Sequence, residues 1–519
     1  MASKPSACST TLITPEILTR ILEFAIAKGD LYRDFTEADS GSALFGTEQV
    51  SSILDDFSED TLESFMTVCK TWHEVIMTTP ALWATFSVIL RMPEQSYAAH
   101  VSSMLDIHFQ RSKAAPFTLF IYGNILETLG KENEHLAITT NMLKRVFTHQ
   151  AHRLQAVYVT MTLMQQWDFP DLTNFTLPQM VPIMAPTMLS VSLEDMPVLK
   201  SLLIYSYLPV SCPEHRVQLA PHECLESMHI VGDVDIIAPT TPHLTSSTHF
   251  TGLRNLYLKM PKTKSGLDAW NILLASPNIE SLHLECQSKG SFGPQVQSSD
   301  LAFFTFPHLR SLDISSGFTI SSLDVLSRFT LPSLTSLKVG DFRFDSSQSL
   351  VELAALLAQY RLESFKIGIW SIEDTSYEEV FRALFNALVA IKRLEITFQA
   401  KLMADNHEPL FEALRNALVP GRPNDASALS NLRELSVIIE FSKTDDVHGI
   451  LRNMVSIVPI CKRKYPSKFS IDFLVSLYDS DKYEEAEHIV LDDENIRRCI
   501  SDTFSVSVND EYVEEYQDA

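Results

Sequence analysis

One phrase constrains this chain more than any other: an apolar residue, two variable residues, an apolar residue, a variable residue and an apolar residue. It first stands at Leu199-Lys-Ser-Leu202-Leu-Ile204 and recurs from Leu225, Leu253, Ile279, Leu309, Leu334, Leu362 and Ile391, copies 25 to 30 residues apart, with a ninth from Leu432. The alternation at its end is that of a strand with one face buried. Helical patterns stand between several copies. Leu350, Leu353, Leu356 and Leu357 share one face, as do Val380, Phe381, Leu384 and Leu388, and as do Leu410, Phe411, Leu414 and Leu418. Ser376 with Glu379 reads as a capping box.

Strand then helix, repeated at this period, is close to the leucine-rich-repeat spacing and predicts a strand–helix solenoid, each unit burying its leucines against its neighbours. The ninth position of the phrase holds Pro261, Gln287 and Gly317, where regular repeats carry an asparagine ladder, so an irregular array is expected. An ordinary α/β domain with similar strands is the competing reading. The expected fold class is mixed α/β, with a helical N-terminal region ahead of this array.

The slot between the last two apolar residues of each phrase points away from the leucine core. It holds Leu203, His229, Tyr257, His283, Asp313, Lys338, Lys366 and Glu395. Aliphatic, aromatic and both charge signs mix there, which suits a specific protein surface better than a repetitive polymer. Tyr257, His283, Lys338 and Lys366 are the candidate target-binding residues.

The N-terminal region has its own pattern. From Thr61 to Phe86 a helix is expected with Leu62, Phe65, Met66, Cys69, Trp72 and Ile76 on one face and Val68 and Val75 beside them. Asp60 is a plausible N-cap and Pro80 a stop. Upstream, Ile13-Thr14-Pro15-Glu16-Ile17-Leu18 starts a second helix, in which Ile17 and Ile21, and Leu18 and Leu22, recur one turn apart. A helical hairpin capping a larger domain would also show this pattern.

These two blocks, Ile13 to Leu22 and then Val68-Cys69-Lys70-Thr71-Trp72 with Pro80-Ala81-Leu82-Trp83, resemble the F-box-like domain of large mushroom-type (basidiomycete) fungal families. Those families usually open Leu-Pro-x-Glu-(Ile/Leu)-Leu, and this chain departs at Ile13 and Thr14. The stretch from Leu105 to Pro116 is similar to the segment downstream of the F-box in those families. The resemblance implies docking onto the Skp-type adaptor and cullin core of an SCF (Skp–cullin–F-box) ubiquitin ligase. The matched positions are Ile13, Pro15, Glu16, Ile17, Leu18, Ile21, Leu22, Val68, Cys69, Trp72, Val75, Pro80, Leu82 and Trp83. The repeats would then hold a target protein. Two alternatives stand beside it: a repeat scaffold that binds partners without recruiting a ligase, and an enzyme whose site is built from solenoid loops.

The expected organisation is an F-box-like domain over 10–90, a connecting α/β segment over 97–198, the repeat array over 199–440, a cap over 441–508 and an acidic tail over 509–519. The acidic insert over 28–58 lacks helical periodicity and reads as a long loop that docking does not need.

Composition narrows the function. A net charge of -24 repels phosphate backbones and argues against nucleic acid. No apolar run spans a bilayer and no secretory signal is visible, so no membrane association is expected. Seven scattered cysteines without a Cys-x-x-Cys pair read as free thiols of the cytoplasm or nucleus. No Gly-rich phosphate loop occurs among the 15 glycines, and His73-Glu74-Val75-Ile76-Met77 lacks the second histidine of a zinc helix. No catalytic residue, cofactor or metal is therefore expected, and the chain reads as a binder rather than an enzyme.

Overall fold

The computed structural model describes residues 14–26, 60–90, 95–124, 144–162, 190–207, 215–232, 234–237, 250–260, 272–286 (except 274), 304–315, 329–344, 347–372, 377–399, 407–418, 429–441, 470–477 and 504–508, with 452, 453, 456, 457 and 460. The fold is mixed α/β, with strands pairing in parallel. The chain divides into two compact units, Met1–Thr245 and Ser246–Ala519. The division falls between the second and third copies of the repeated phrase.

The first unit opens with helices Pro15–Ile26, Asp60–Val68 and Lys70–Thr78 and a 3-10 turn, Pro80–Trp83. One helix was expected from Thr61; two form. Cys69 is extended (φ -163°, ψ 167°) and separates them. The first begins at Asp60 itself rather than after it. The second stops at Thr78, whose successor precedes Pro80, as the steric clash before proline requires. Leu18, Leu22, Val75, Ile76, Leu82 and Trp83 bury together, with Leu62, Phe65, Met66, Trp72 and Ile107 packed around them.

Strands come next: β1 (Thr85–Leu90), β2 (Phe117–Asn124), β3 (Leu154–Thr162), β4 (Ser190–Ser192), β5 (Ser201–Tyr207), β6 (His215–Gln218), β7 (Ser227–Gly232) and β8 (Val234–Ile237). Between β1 and β2 runs the helix Gln95–Ser112. β1, β2, β3, β5 and β7 pair in that order, and β4, β6 and β8 form a separate small sheet. The parallel ladder thus starts well upstream of Leu199, where the repeat was expected to begin. The reason is legible in Trp83-x-x-Phe86-x-Val88 and Leu154-x-x-Val157-x-Val159, the same phrase written with aromatic and β-branched residues.

In the second unit β9 (Asn255–Met260), β10 (Ser281–Cys286), β12 (Ser311–Ser315), β14 (Ser336–Phe344), β15 (Ser364–Ile372), β16 (Arg393–Gln399), β17 (Glu434–Phe441), β18 (Ser470–Leu477) and β19 (Phe504–Val508) pair successively. Short strands β11 (Phe304–Thr305) and β13 (Phe329–Thr330) pair apart from them.

All nine phrases become strands that start two residues after the first apolar position. Their register is constant: Leu312 faces Leu337, which faces Phe365, then Leu394, then Leu435. These side chains are buried, as is the row Leu284, Ile314, Val339, Ile367, Ile396 and Val437. A one-residue slip would turn both rows to solvent, at roughly 1.5–3 kcal/mol per aliphatic side chain, so the phrase itself locks the register.

Helices Ser347–Leu357, Tyr377–Ala387 and His407–Leu418 fill the crossovers from β14 to β17 as their periodicity predicts. Each buries the expected stripe, Leu353 and Leu357, Phe381 and Leu384, Phe411 and Leu414. The strand expected at 469–475 is β18. The insert over 28–58, the Ser376 cap, Pro261, Gln287, Gly317, most of the 447–461 helix, the 483–491 helix and the tail lie outside the described residues.

Candidate functional site

Two surfaces carry the candidate residues. At the N-terminus the positions named from the sequence separate into two groups. Leu18, Leu22, Val75, Leu82 and Trp83 form the interior of the helical cluster. Trp83 is tied there by its Nε1–H, which donates to the Ile76 carbonyl at 2.8 Å. Trp72 is half-buried and lies with its ring 5.6 Å from that of Phe65. Pro80 is half-buried too.

The outward group comprises Pro15, Glu16, Ile17, Val68 and Cys69. Ile17 keeps 51% of its surface exposed and Val68 58%. The Glu16 carboxyl is held below its ordinary value by hydrogen bonds from its own backbone and from the Thr14 side chain. Ile13 and the Ile21 side chain lie outside the described residues.

Behind the cluster, the Gln95–Ser112 helix supplies three groups that were not among the site candidates read from the sequence. His108 is buried, with its Nδ1 3.0 Å from the Trp83 carbonyl and its ring against Trp83 and Phe86. Arg111 lays its guanidinium 4.2 Å from the Trp83 ring centre, a cation–π contact. Ser112 accepts from Arg153, whose guanidinium also donates to the Ala115 carbonyl. The signal for an inward-facing histidine is the helical stripe Val101, Met104, Leu105, His108 and Phe109.

The second surface is the row of outward slots in the second unit. Register places Tyr257, His283, Asp313, Lys338, Lys366 and Glu395 side by side on successive strands. The rings of Tyr257 and His283 stack at 3.9 Å, nearly parallel at 4°. His283 Nδ1 lies 2.8 Å from Asp313 Oδ2, and Lys338 Nζ donates to the same oxygen at 3.0 Å. Lys366 Nζ donates to Glu395 Oε1 at 2.6 Å.

Burial pushes the Asp313 carboxyl up, but the His283 hydrogen bond and the charges of His283 and Lys338 outweigh it, leaving the group below its ordinary value. Its second oxygen, Oδ1, is buried without a hydrogen-bond partner among the described residues.

The four target-binding candidates therefore do come together, and Asp313 and Glu395 join them. Exposure grades along the row. Tyr257 retains 9% of its surface, while the Lys366 and Glu395 side chains retain 26% and 30%. Tyr257 supports the row by stacking, and its open end is at Lys338, Lys366 and Glu395. In the first unit the equivalent slots hold Phe120 and Tyr158, stacked at 4.7 Å, then Leu203 and His229.

Among the described residues no group of three or more His, Cys, Asp or Glu side chains is placed to hold a metal ion. None of the described helices is long and apolar enough to cross a membrane. No protein-family model matches the chain, and no curated protein matches it in sequence.

Proposed function

We propose that the chain is a substrate-recognition adaptor of an SCF-type ubiquitin ligase. The helices at 15–83 act as an F-box-like module that docks a Skp-type adaptor and, through it, the cullin core. The parallel strands form an irregular leucine-rich-repeat-like solenoid that holds a target protein. The chain does no bond chemistry of its own. It acts by proximity, raising the effective concentration of target lysines near the ubiquitin-charged enzyme, in the cytoplasm or nucleus.

The observation that carries this reading is the exposure of Ile17 and Val68, two of the matched positions, on the helical cluster immediately ahead of the strand array. Both stand at positions that match the docking motif and that the core leaves free for a partner to cover. The strict succession of parallel strands supports the solenoid, since each phrase buries its leucines only against its neighbours.

The test is co-purification of the full chain with a Skp-type adaptor. Ile17→Asp combined with Val68→Asp is expected to weaken capture at least about tenfold with the melting temperature unchanged, because a charge buried at an interface without a partner is costly. Equal capture by this variant removes the docking role.

One observation favours the second reading, a repeat scaffold without ligase recruitment. Five of the matched F-box positions are committed to the interior, which narrows the surface left for docking. Failure of the native chain to capture any Skp-type adaptor, with a target still bound, selects it.

A further inference from the structure

Lys338 and Lys366 are directly opposed on β14 and β15, their Cα atoms about 5 Å apart as on any neighbouring strands. Like charges facing each other in this way repel. Each lysine turns to a carboxylate on its far side, Lys338 to Asp313 and Lys366 to Glu395. Across four successive strands the charges run minus, plus, plus, minus. An ammonium group has three N–H donors, and among the described residues each lysine spends one on its carboxylate. On the same face two residues earlier stand the half-buried Ser336 and Ser364, opposed to each other in the same register.

We propose that this row is a receptor for one carboxylate side chain, an Asp or Glu on an exposed segment of the target protein, seated between Lys338 and Lys366. The proposal rests on the target-binding half of the reading above. A carboxylate there lies between two like-charged side chains and relieves their mutual repulsion, while Asp313 and Glu395 lie one strand further out on either side. Those two acids make the receptor selective. A second anionic group beside the first would face a carboxylate, and the chain's net charge of -24 repels a polyanion as a whole. The row therefore selects an isolated acidic side chain and rejects nucleic acid and runs of acids.

A random-peptide phage library selected on the immobilised full chain tests this. Enriched peptides are expected to share one acidic position without acidic neighbours. A synthetic peptide of the strongest sequence should bind about tenfold better than its amide version, with Asp replaced by Asn or Glu by Gln, since hydrogen bonds to charged groups carry about that much. Lys366→Met should lose the same factor, Lys366→Arg should retain most of the binding, and the amide peptide should lose nothing further on Lys366→Met.

Absence of enrichment, acid-free consensus sequences, or equal binding of the acid and amide peptides overturns the proposal. The acid-to-amide comparison holds even where a lysine variant folds poorly. Co-purification of the same preparations with a Skp-type adaptor is read in parallel. Adaptor capture without acid-dependent peptide binding sinks the receptor alone, and the reverse result sinks the ligase reading alone.

Discussion

The Nδ1 atom of His108 lies 3.0 Å from the carbonyl oxygen of Trp83, and the carbonyl can only accept, so Nδ1 carries the proton and donates it. This bond fastens the Gln95–Ser112 helix to the turn that closes the N-terminal helical cluster. The imidazole is neutral in this setting. Burial drives its pKa down to about 4; the Trp83 carbonyl resists that fall, and the charge of Arg111 adds to it.

Stability therefore depends on pH. The folded value of about 4 lies below the ordinary 6.5, so the unfolded chain takes up the proton first. The His108 contribution is complete above pH 6.5, falls as pH drops from 6.5 towards 4, and levels off below. The gap corresponds to roughly 3 kcal/mol. His108→Gln keeps a donor for the Trp83 carbonyl but cannot titrate. Urea midpoints measured from about pH 7.5 to about pH 4.5 should decline for the native chain and decline less for the variant; parallel curves would refute the assignment.

The helical cluster should respond to truncation as a packed core. Ile76 is fully buried against Leu18, Leu22 and Trp83. Ile76→Ala is expected to cost about 2–5 kcal/mol, the usual range for a buried aliphatic truncation. Val68→Ala, on the exposed side, should cost under about 0.5 kcal/mol. Thermal melts of the two variants check the contrast, and similar losses would mean that Val68 is not outward.

Lys113 stands just past the end of the Gln95–Ser112 helix with φ at 52°, the left-handed region where a side chain is unfavourable. Glycine is the usual residue at such a helix end. Lys113→Gly is expected to raise stability by about 0.5–1 kcal/mol, read as a shift of the urea midpoint. A destabilised variant would show that the Lys113 side chain contributes contacts outweighing its backbone strain.

Much of the second unit was legible because one short phrase encodes both a strand and its register. Once Leu312 and Leu337 must face the same core, every slot between them is placed, which is why His283, Asp313, Lys338 and Lys366 could be aligned from the sequence alone. Other features had no periodic signal. The break at Cys69 separates two helices whose apolar residues continue the same spacing, so periodicity alone reads through it. The pairing of β11 with β13 rests on Phe304-Thr-Phe306-Pro and Phe329-Thr-Leu331-Pro, repeated but too short to register as strands. Tyr257 shows the limit at the site itself. Period assigned it outward, yet it is buried, with the His283 ring of the next strand stacked on it, a relation between strands that no single strand contains.

Asp313 is the joint on which the charged row turns, since His283 and Lys338 both meet its Oδ2 oxygen. Its folded pKa lies below the ordinary carboxylate value, so its charge favours the folded state at neutral pH. That contribution is present above pH about 4 and is lost as pH falls through the lower folded value. Asp313→Asn keeps the shape, removes the charge and leaves Lys338 with a weaker acceptor. The expected cost is about 1–3 kcal/mol at neutral pH, shrinking in acid as the native carboxyl protonates. Lys338→Met removes the ammonium from the same bond, so the two changes together should cost less than their sum, with a coupling of about 0.5–3 kcal/mol. Strict additivity would mean that the Asp313–Lys338 contact contributes nothing, and that the minus-plus-plus-minus row is not held in place by its own charges.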